Sequence, residues 1–183
     1  MILYRPVGLR ELQLIAGACF RAFPPRLAHQ SVFYPVLTRA YAIEIACDWN
    51  TKDQASDYIG FVTRFQVDAE FASRYEVRVA GASRHQELWV PAVELELFNQ
   101  HIVGAISVEA AFPGALYAGR LDPETHLPSG LTTPELWSVW RQDDHGTQVE
   151  VSNGLYEAEA ISLVAKLEAR GHRQMYWAKR MKV

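Results

Sequence analysis

Ile59-Gly60-Phe61-Val62-Thr63-Arg64-Phe65-Gln66-Val67 is the stretch from which the fold is read. Ile59, Phe61, Thr63, Phe65 and Val67 alternate with Gly60, Val62, Arg64 and Gln66, the period-2 signature of a β-strand. Toward the N-terminus, Thr38 is a plausible N-cap for a helix over residues 39–49, with Tyr41, Ile45 and Trp49 on one stripe. Residues 31–36 form a short β-type run. Phe20-Arg21-Ala22-Phe23-Pro24-Pro25-Arg26 reads as a loop, since a proline pair cannot sit inside a helix. Leu9, Leu12, Ile15 and Ala16 lie at helical spacing within residues 8–18, and residues 1–5 form a short first strand that breaks at Arg5-Pro6. Toward the C-terminus, residues 75–79 and 87–90 read as strands. Residues 92–99 read as a helix with Val93, Leu97 and Phe98 apolar, and residues 102–108 as a β-branched strand.

Residues 112–133 break the pattern. They hold Pro113, Gly114, Gly119, Pro123, Pro128 and Gly130, the signature of a linker. The chain is therefore divided into a domain over 1–112, a Pro/Gly-rich linker over 113–134 and a small module over 135–183. In that module, residues 136–142 and 147–152 flank Asp143-Asp144-His145-Gly146, a hairpin turn with Gly at a position of positive φ. A helix over 156–170 carries Ala160, Ile161, Val164 and Leu167 on one face and ends at Arg170-Gly171. A last strand follows over 174–178, giving the order ββαβ. The fold class is α+β: a split mixed/antiparallel sheet with flanking helices, plus the small ββαβ module.

The bulk properties narrow the function classes. The chain has 183 residues with 49% hydrophobic and 21% charged content, the range of an ordinary globular protein. A formal net charge of -3 gives no argument for non-specific nucleic-acid binding. Apolar runs are short and broken by charges, so no membrane span is expected. The N-terminal residues lack a basic segment followed by a continuous apolar core, so they do not read as a signal peptide. Cys19 and Cys47 fall inside the expected helices and read as small buried apolar residues. Together these features point to a reducing cytoplasm. His29, His85, His101, His126, His145 and His172 are scattered with no metal-ligand spacing, so no metal is expected. No phosphate-binding glycine loop occurs, and Ser31, Ser83 and Ser107 lack the setting of an activated nucleophile.

The most informative chemical segment is His85-Gln86-Glu87-Leu88-Trp89-Val90-Pro91. Glu87 stands at the start of a short apolar strand beside the polar stretch Gly81-Ala82-Ser83-Arg84, where functional groups are commonly presented. A solvated strand-edge carboxylate is the alternative. The loop around Pro24-Pro25 likewise has two readings: a packed rigid loop, or a lid over an anionic ligand with Arg21 or Arg26 near phosphate. Asp48-Trp49-Asn50 reads as a helix terminus.

The order of elements resembles the ADP-ribosyltransferase superfamily. A strand ending in Leu3-Tyr4-Arg5 leads into a helix, and Val32-Phe33-Tyr34 leads into the helix of Ala40 to Trp49. The strand at 61–67, then Glu87-Leu88-Trp89-Val90-Pro91, and finally Ile102-Val103-Gly104-Ala105-Ile106 complete it. The chain looks like bacterial proteins labelled ADP-ribosylation/crystallin J1, and the resemblance covers about residues 2–112. It implies an NAD-dependent glycosyl transfer. Arg5 takes the role of the first-strand residue that holds NAD, Tyr34 that of the residue beside nicotinamide, and Glu87 that of the carboxylate on the nicotinamide ribose. Tyr4, Arg21 and Arg26 join the candidate NAD-binding set. His85, with Gln86 adjacent, falls where family members select the acceptor. That position departs from the arginine-modifying pattern and leaves a protein or a nucleic acid open as acceptor. The strand-rich pattern and the lack of clustered Asp argue against the all-helical ADP-ribosyl hydrolases.

Trp137-Ser138-Val139-Trp140-Arg141-Gln142, with Arg170-Gly171-His172-Arg173-Gln174-Met175-Tyr176-Trp177, resembles small SPOR-like modules of actinobacterial proteins. Its three Trp either build the module's core or form a face for a protein partner, with Arg141, His172 and Arg173 supplying charge. Two functions are thus carried forward: an NAD-dependent ADP-ribosyltransferase or NAD hydrolase, and a non-catalytic binding module that keeps the fold.

Overall fold

Strand β3 (Ile59–Val67) is buried along most of its length, on both faces. Phe61 and Phe65 are buried on one face, Phe65 against an aromatic core, while Gly60 and Val62 face helix α2 (Arg39–Asp48). The simple alternation of the sequence therefore hides a second packed face. Gly60 makes that packing possible, because a Cβ there would stand 2.3 Å from the Ala46 carbonyl oxygen. The computed structural model describes residues 1–171 and 174–181. Its fold is α+β with three small antiparallel sheets, and the chain divides into two units, Met1–Thr133 and Pro134–Val183.

In the first unit β3 is the central strand, with β1 (Ile2–Val7) on one edge and β6 (Ile102–Pro113) on the other. The second sheet has the order β2 (Val32–Phe33), β5 (Gln86–Pro91), β4 (Glu76–Val79). Val36 joins the two sheets. Its N–H and carbonyl exchange hydrogen bonds with Tyr4 of β1 at 2.8 and 2.9 Å, and it also bridges Glu87 of β5. All strand pairings among the described residues are antiparallel.

Strand β6 runs to Pro113, beyond the expected end at Val108, and Gly114 donates to the Tyr58 carbonyl at 2.8 Å. Leu127 is buried. The Pro/Gly-rich stretch 113–133, expected as a linker, thus falls inside the first unit, and the division comes at Pro134.

Helix α1 (Leu9–Gly17) buries Leu12 and Ile15. Cys19 lies past its end, exposed, at φ 52°, against the expectation of a buried helical residue; the chain has already turned left-handed there. The Thr38 hydroxyl caps α2 by accepting the Tyr41 N–H. The buried face of α2 is Tyr41, Ala42 and Ala46. Trp49 follows the last helical residue and is 72% exposed, so it does not extend the expected stripe. A short helix α3 (Ala69–Ala72), capped by Asp68, falls where no element was expected. Residues 92–94 form a 3₁₀ turn ahead of α4 (Leu95–Gln100). The tighter turn shifts the phase: Leu95 and Phe98 are buried, whereas Val93 is 92% exposed and Leu97 is also exposed.

The core between α4, β2 and β3 is aromatic. Phe23 lies 5.0 Å from Phe33 and 4.8 Å from Phe65, centroid to centroid, and Phe98 contacts Phe33 and Phe65 in edge-on geometry.

The second unit is a ββαβ module. β7 (Trp137–Gln142) lies between β8 (Gln148–Leu155) and β9 (Met175–Arg180), and α5 (Glu157–Glu168) packs against the sheet. Asp143 accepts the N–H groups of His145 and Thr147 at 2.9 Å, and Gly146 has φ 81°, as the turn signature requires. Val139, Leu155 and Ala160 form the core with Trp137, Val164 and Leu167. Ile161 is exposed, off the face expected for it. His172 and Arg173 lie outside the described residues. Among those described, no helix is long and apolar enough to cross a membrane.

Candidate functional site

Arg5 points from β1 toward α1, and its guanidinium is held on three sides. Nε and Nη2 donate to the Glu11 carboxylate at 2.7 and 3.3 Å, and Nη1 donates to the Tyr34 carbonyl at 3.4 Å. The Phe33 ring lies beneath it, 4.6 Å from Cζ to centroid. The bidentate bond, the buried cation and the aromatic base fix Arg5 in one orientation. Glu11 reaches it from the first turn of α1.

The loop after α1 enters the site from a fixed point. The Asn99 side chain clamps the Phe23 backbone with two bonds of 2.9 Å, one to the N–H and one from the amide to the carbonyl. Beyond that clamp, Pro24, Pro25, Arg26 and Leu27 form one wall of a cavity of about 580 Å³. Arg26 Nε donates to the Val32 carbonyl at 3.3 Å, and its Cζ lies 6.0 Å from the centre of the Tyr34 ring. Burial, then the positive charge of Arg5, pull the Arg26 pKa down from its ordinary value.

Arg5, Glu11, Arg26, Tyr34, Asn50 and Glu87 all line this cavity. The exposed side chains of Leu14, Leu27 and Tyr34 add apolar surface to it. The Asn50 amide donates to Ser56 Oγ at 3.0 Å, while its Oδ1 is buried with no hydrogen-bond partner among the described residues. The volume and the mix of apolar wall with a few oriented polar groups match a small-molecule site.

Glu87 is held as firmly as Arg5. Its Oε1 accepts the Tyr41 hydroxyl at 2.9 Å, and its Oε2 accepts the Trp89 indole N–H at 3.1 Å. Burial and the bond to Glu87 push the Tyr41 pKa up to about 12, so the phenol keeps its proton and remains a donor at neutral pH. Glu87 is therefore not a carboxylate in bulk solvent.

Of the residues singled out from sequence, Arg5, Arg26, Tyr34 and Glu87 share this cavity. The other four stand elsewhere. Tyr4 packs on the opposite side of β1 against the Val36, Tyr41 and Val62 cluster, as strand alternation from Arg5 dictates. Arg21 is exposed and is not part of the cavity wall. His85 stacks on Tyr41 at 4.3 Å and bonds Glu44 through Nε2 at 3.1 Å. The Gln86 carbonyl accepts the Leu37 N–H at 3.0 Å, a structural tie between β5 and the segment after β2. Glu11, Tyr41 and Trp89 were missed as site residues. The available signals were an acid in the first turn after Arg5 and an indole two strand positions from Glu87.

In the second unit, Trp140 and Trp177 are cross-strand partners. They line a concavity of about 420 Å³ with Gln142, Gln148, Met175 and Lys179, while Trp137 packs against the core. Of the three Trp, Trp137 thus belongs to the module's core, while Trp140 and Trp177 stand in the concavity. Comparison with known proteins gives no matching family, no matching curated protein and no matching solved structure.

Proposed function

We propose that the first unit binds NAD in the cavity of Arg5, Tyr34 and Glu87 and transfers its ADP-ribose to an acceptor or to water. One observation supports the reading above the rest. Arg5 on β1, Tyr34 just past β2 and Glu87 on β5, three residues far apart in sequence, line one cavity of small-molecule size. In the reaction, the bond between the nicotinamide nitrogen and ribose C1 breaks, and nicotinamide leaves with the electron pair. Positive charge develops at C1, and the fixed Glu87 carboxylate stabilises it through the ribose hydroxyls, the kind of preorganised electrostatics that contributes most to catalysis. The acceptor atom, or water, forms the new bond to C1 and releases its proton to solvent. Arg26, with Arg5 behind it, faces the pyrophosphate, and the Tyr34 ring offers a stacking surface to nicotinamide.

The test is NAD turnover by the full chain and by Glu87→Gln, alongside calorimetric titration of NAD. The variant is expected to lose activity by a factor of about a hundred or more while still binding NAD. Equal consumption by both proteins, or no heat of binding, refutes the proposal. The second reading, a binding module, is favoured by the Trp140–Trp177 concavity. It predicts NAD-independent capture of a partner that Trp177→Ala abolishes.

A further inference from the structure

We propose that Tyr41, a helix residue outside the cavity wall, is the positioning residue for Glu87, acting in concert with Trp89. The proposal rests on the NAD-transfer reading of the cavity.

Tyr41 is almost wholly buried on α2, and its ring packs among Val36, Ala42, Ala46 and Val62. A phenylalanine would serve that packing equally well. The hydroxyl has a separate employment: it reaches across to β5 and donates to Glu87 Oε1. The Trp89 indole takes the other oxygen. An ionised carboxylate offers about four lone-pair sites, so two donors of this kind leave roughly one acceptor site on each oxygen for a ligand. They also remove the free rotation that a glutamate side chain otherwise keeps. A carboxylate aimed before the ligand arrives needs no reorganisation when charge develops at the reacting carbon.

Each donor is itself braced. His85 stacks on the Tyr41 ring at an interplanar angle of 12°, and its Nε2 is tied to Glu44, which also pairs with Arg84. The Arg78 guanidinium lies 4.1 Å from the centre of the Trp89 ring, and Arg78 is paired with Glu76. His85 therefore acts two steps from the carboxylate, as a brace for Tyr41. The Tyr41 hydroxyl and the Glu87 carboxylate are brought together across 46 residues of sequence.

The experiment is a double-mutant cycle with the full chain: wild type, Tyr41→Phe, Glu87→Gln and the double variant. Tyr41→Phe keeps the ring and its stacking, so its folding is checked against the thermal midpoint of the wild type. The expected result is a fall in kcat of about tenfold to a hundredfold, the range for a hydrogen bond to a charged group, with KM for NAD changed less than about twofold. In the Glu87→Gln background, Tyr41→Phe should change kcat less than about twofold. A fall of equal size in both backgrounds, or no fall in the wild-type background, overturns the proposal.

A second readout does not depend on turnover. The Trp89 indole N–H resonance, assigned with Trp89→Phe, is expected to move in Tyr41→Phe toward its position in Glu87→Gln, because a carboxylate released on one side no longer meets the indole in one geometry. An unmoved resonance overturns the positioning role. Absence of NAD turnover in the wild type refutes the transfer reading instead, and the indole resonance then decides the positioning role alone.

Discussion

Replacing Glu11 with Gln leaves the Arg5 guanidinium buried without its counter-charge. The Arg5 side chain is 7% exposed and that of Glu11 24% exposed, so water reaches the carboxylate but scarcely the cation. Removing one partner of a buried ion pair costs about 3–5 kcal/mol, because the remaining charge stays desolvated. The Gln carbonyl still accepts one hydrogen bond, and the partial exposure of position 11 admits some water, so the expected loss is about 2–3 kcal/mol. That is a large share of a typical domain stability of about 5–15 kcal/mol, and it corresponds to a thermal midpoint lower by about 6–10 °C.

The same change is expected to strengthen anion binding. In the wild type, both Glu11 oxygens are bonded to Arg5, and the Glu11 charge on the cavity wall opposes any anion placed beside Arg26. With Gln in place, pyrophosphate or ADP-ribose should bind about fivefold tighter, near 1 kcal/mol, and should restore part of the lost stability. The paired change Arg5→Met with Glu11→Leu should recover most of the stability, since apolar side chains can replace a buried ion pair at little cost, yet bind neither anion. Urea titrations followed by tryptophan fluorescence, together with calorimetry of pyrophosphate, measure both effects. A Glu11→Gln protein within about 0.5 kcal/mol of wild type, or one that binds pyrophosphate more weakly, refutes the account of Arg5 as a buried cation neutralised by Glu11.

Gly60→Ala should destabilise the first unit by about 3 kcal/mol, because its Cβ meets the Ala46 backbone rather than a side chain that can swing away; a shift of less than about 1 kcal/mol in urea would argue that α2 moves freely over β3. Burial and bonds to Glu87 and Glu94 raise the pKa of Tyr41 and Tyr75 from 10.0 to about 12. A raised folded pKa means that their contribution is fully present below about pH 10 and is lost as pH climbs toward 12, so guanidinium midpoints from pH 8 to 11.5 should fall less steeply in the Tyr41→Phe, Tyr75→Phe double variant than in wild type. Asn99→Ala removes both bonds to the Phe23 backbone and leaves buried groups unmet, at about 1–3 kcal/mol; protease cleavage near Leu27 should quicken and NAD binding weaken, and an unchanged cleavage rate would contradict the anchoring role.

How much of this was readable in advance depends on range. The strand at 59–67, the Thr38 cap and the Asp143–Gly146 turn are settled by neighbours a few residues apart, and local pattern was sufficient for them. Where a second layer intervenes, the pattern misleads. Val62 was expected opposite the buried face of β3, yet it is covered by α2. Val93 was expected on the buried side of a helix, but a 3₁₀ turn rotates it outward. Arg21 and Arg26 looked equivalent in the loop sequence. The left-handed backbone at Cys19 and Phe20 and the clamp at Phe23 set the course of the chain between them, and only Arg26 reaches the cavity. His85 stood closer to Glu87 in sequence than Tyr41 does, but it points to Glu44, while Tyr41 makes the contact.

The convergence of Arg5 and Glu87 has a backbone cause that no residue type announces. Tyr4 pairs with Val36, and Val36 pairs with Glu87. Adjacent strands lie about 4.8 Å apart, so Tyr4 and Glu87 stand roughly two strand spacings from each other, with Arg5 next in line on β1. Tyr34, two residues before Val36, is carried to the same place by the same pairing. One bridging residue therefore assembles the cavity from three distant parts of the chain. On one side Val36 exchanges its N–H and carbonyl with Tyr4, and on the other its neighbours hold β5, the Leu37 N–H donating to Gln86 and the Pro35 carbonyl accepting from Leu88. The residue types and their order are legible in the sequence, whereas the meeting of Arg5, Tyr34 and Glu87 in one cavity is a property of sheet register, which depends on pairings too distant in sequence for local periodicity to report.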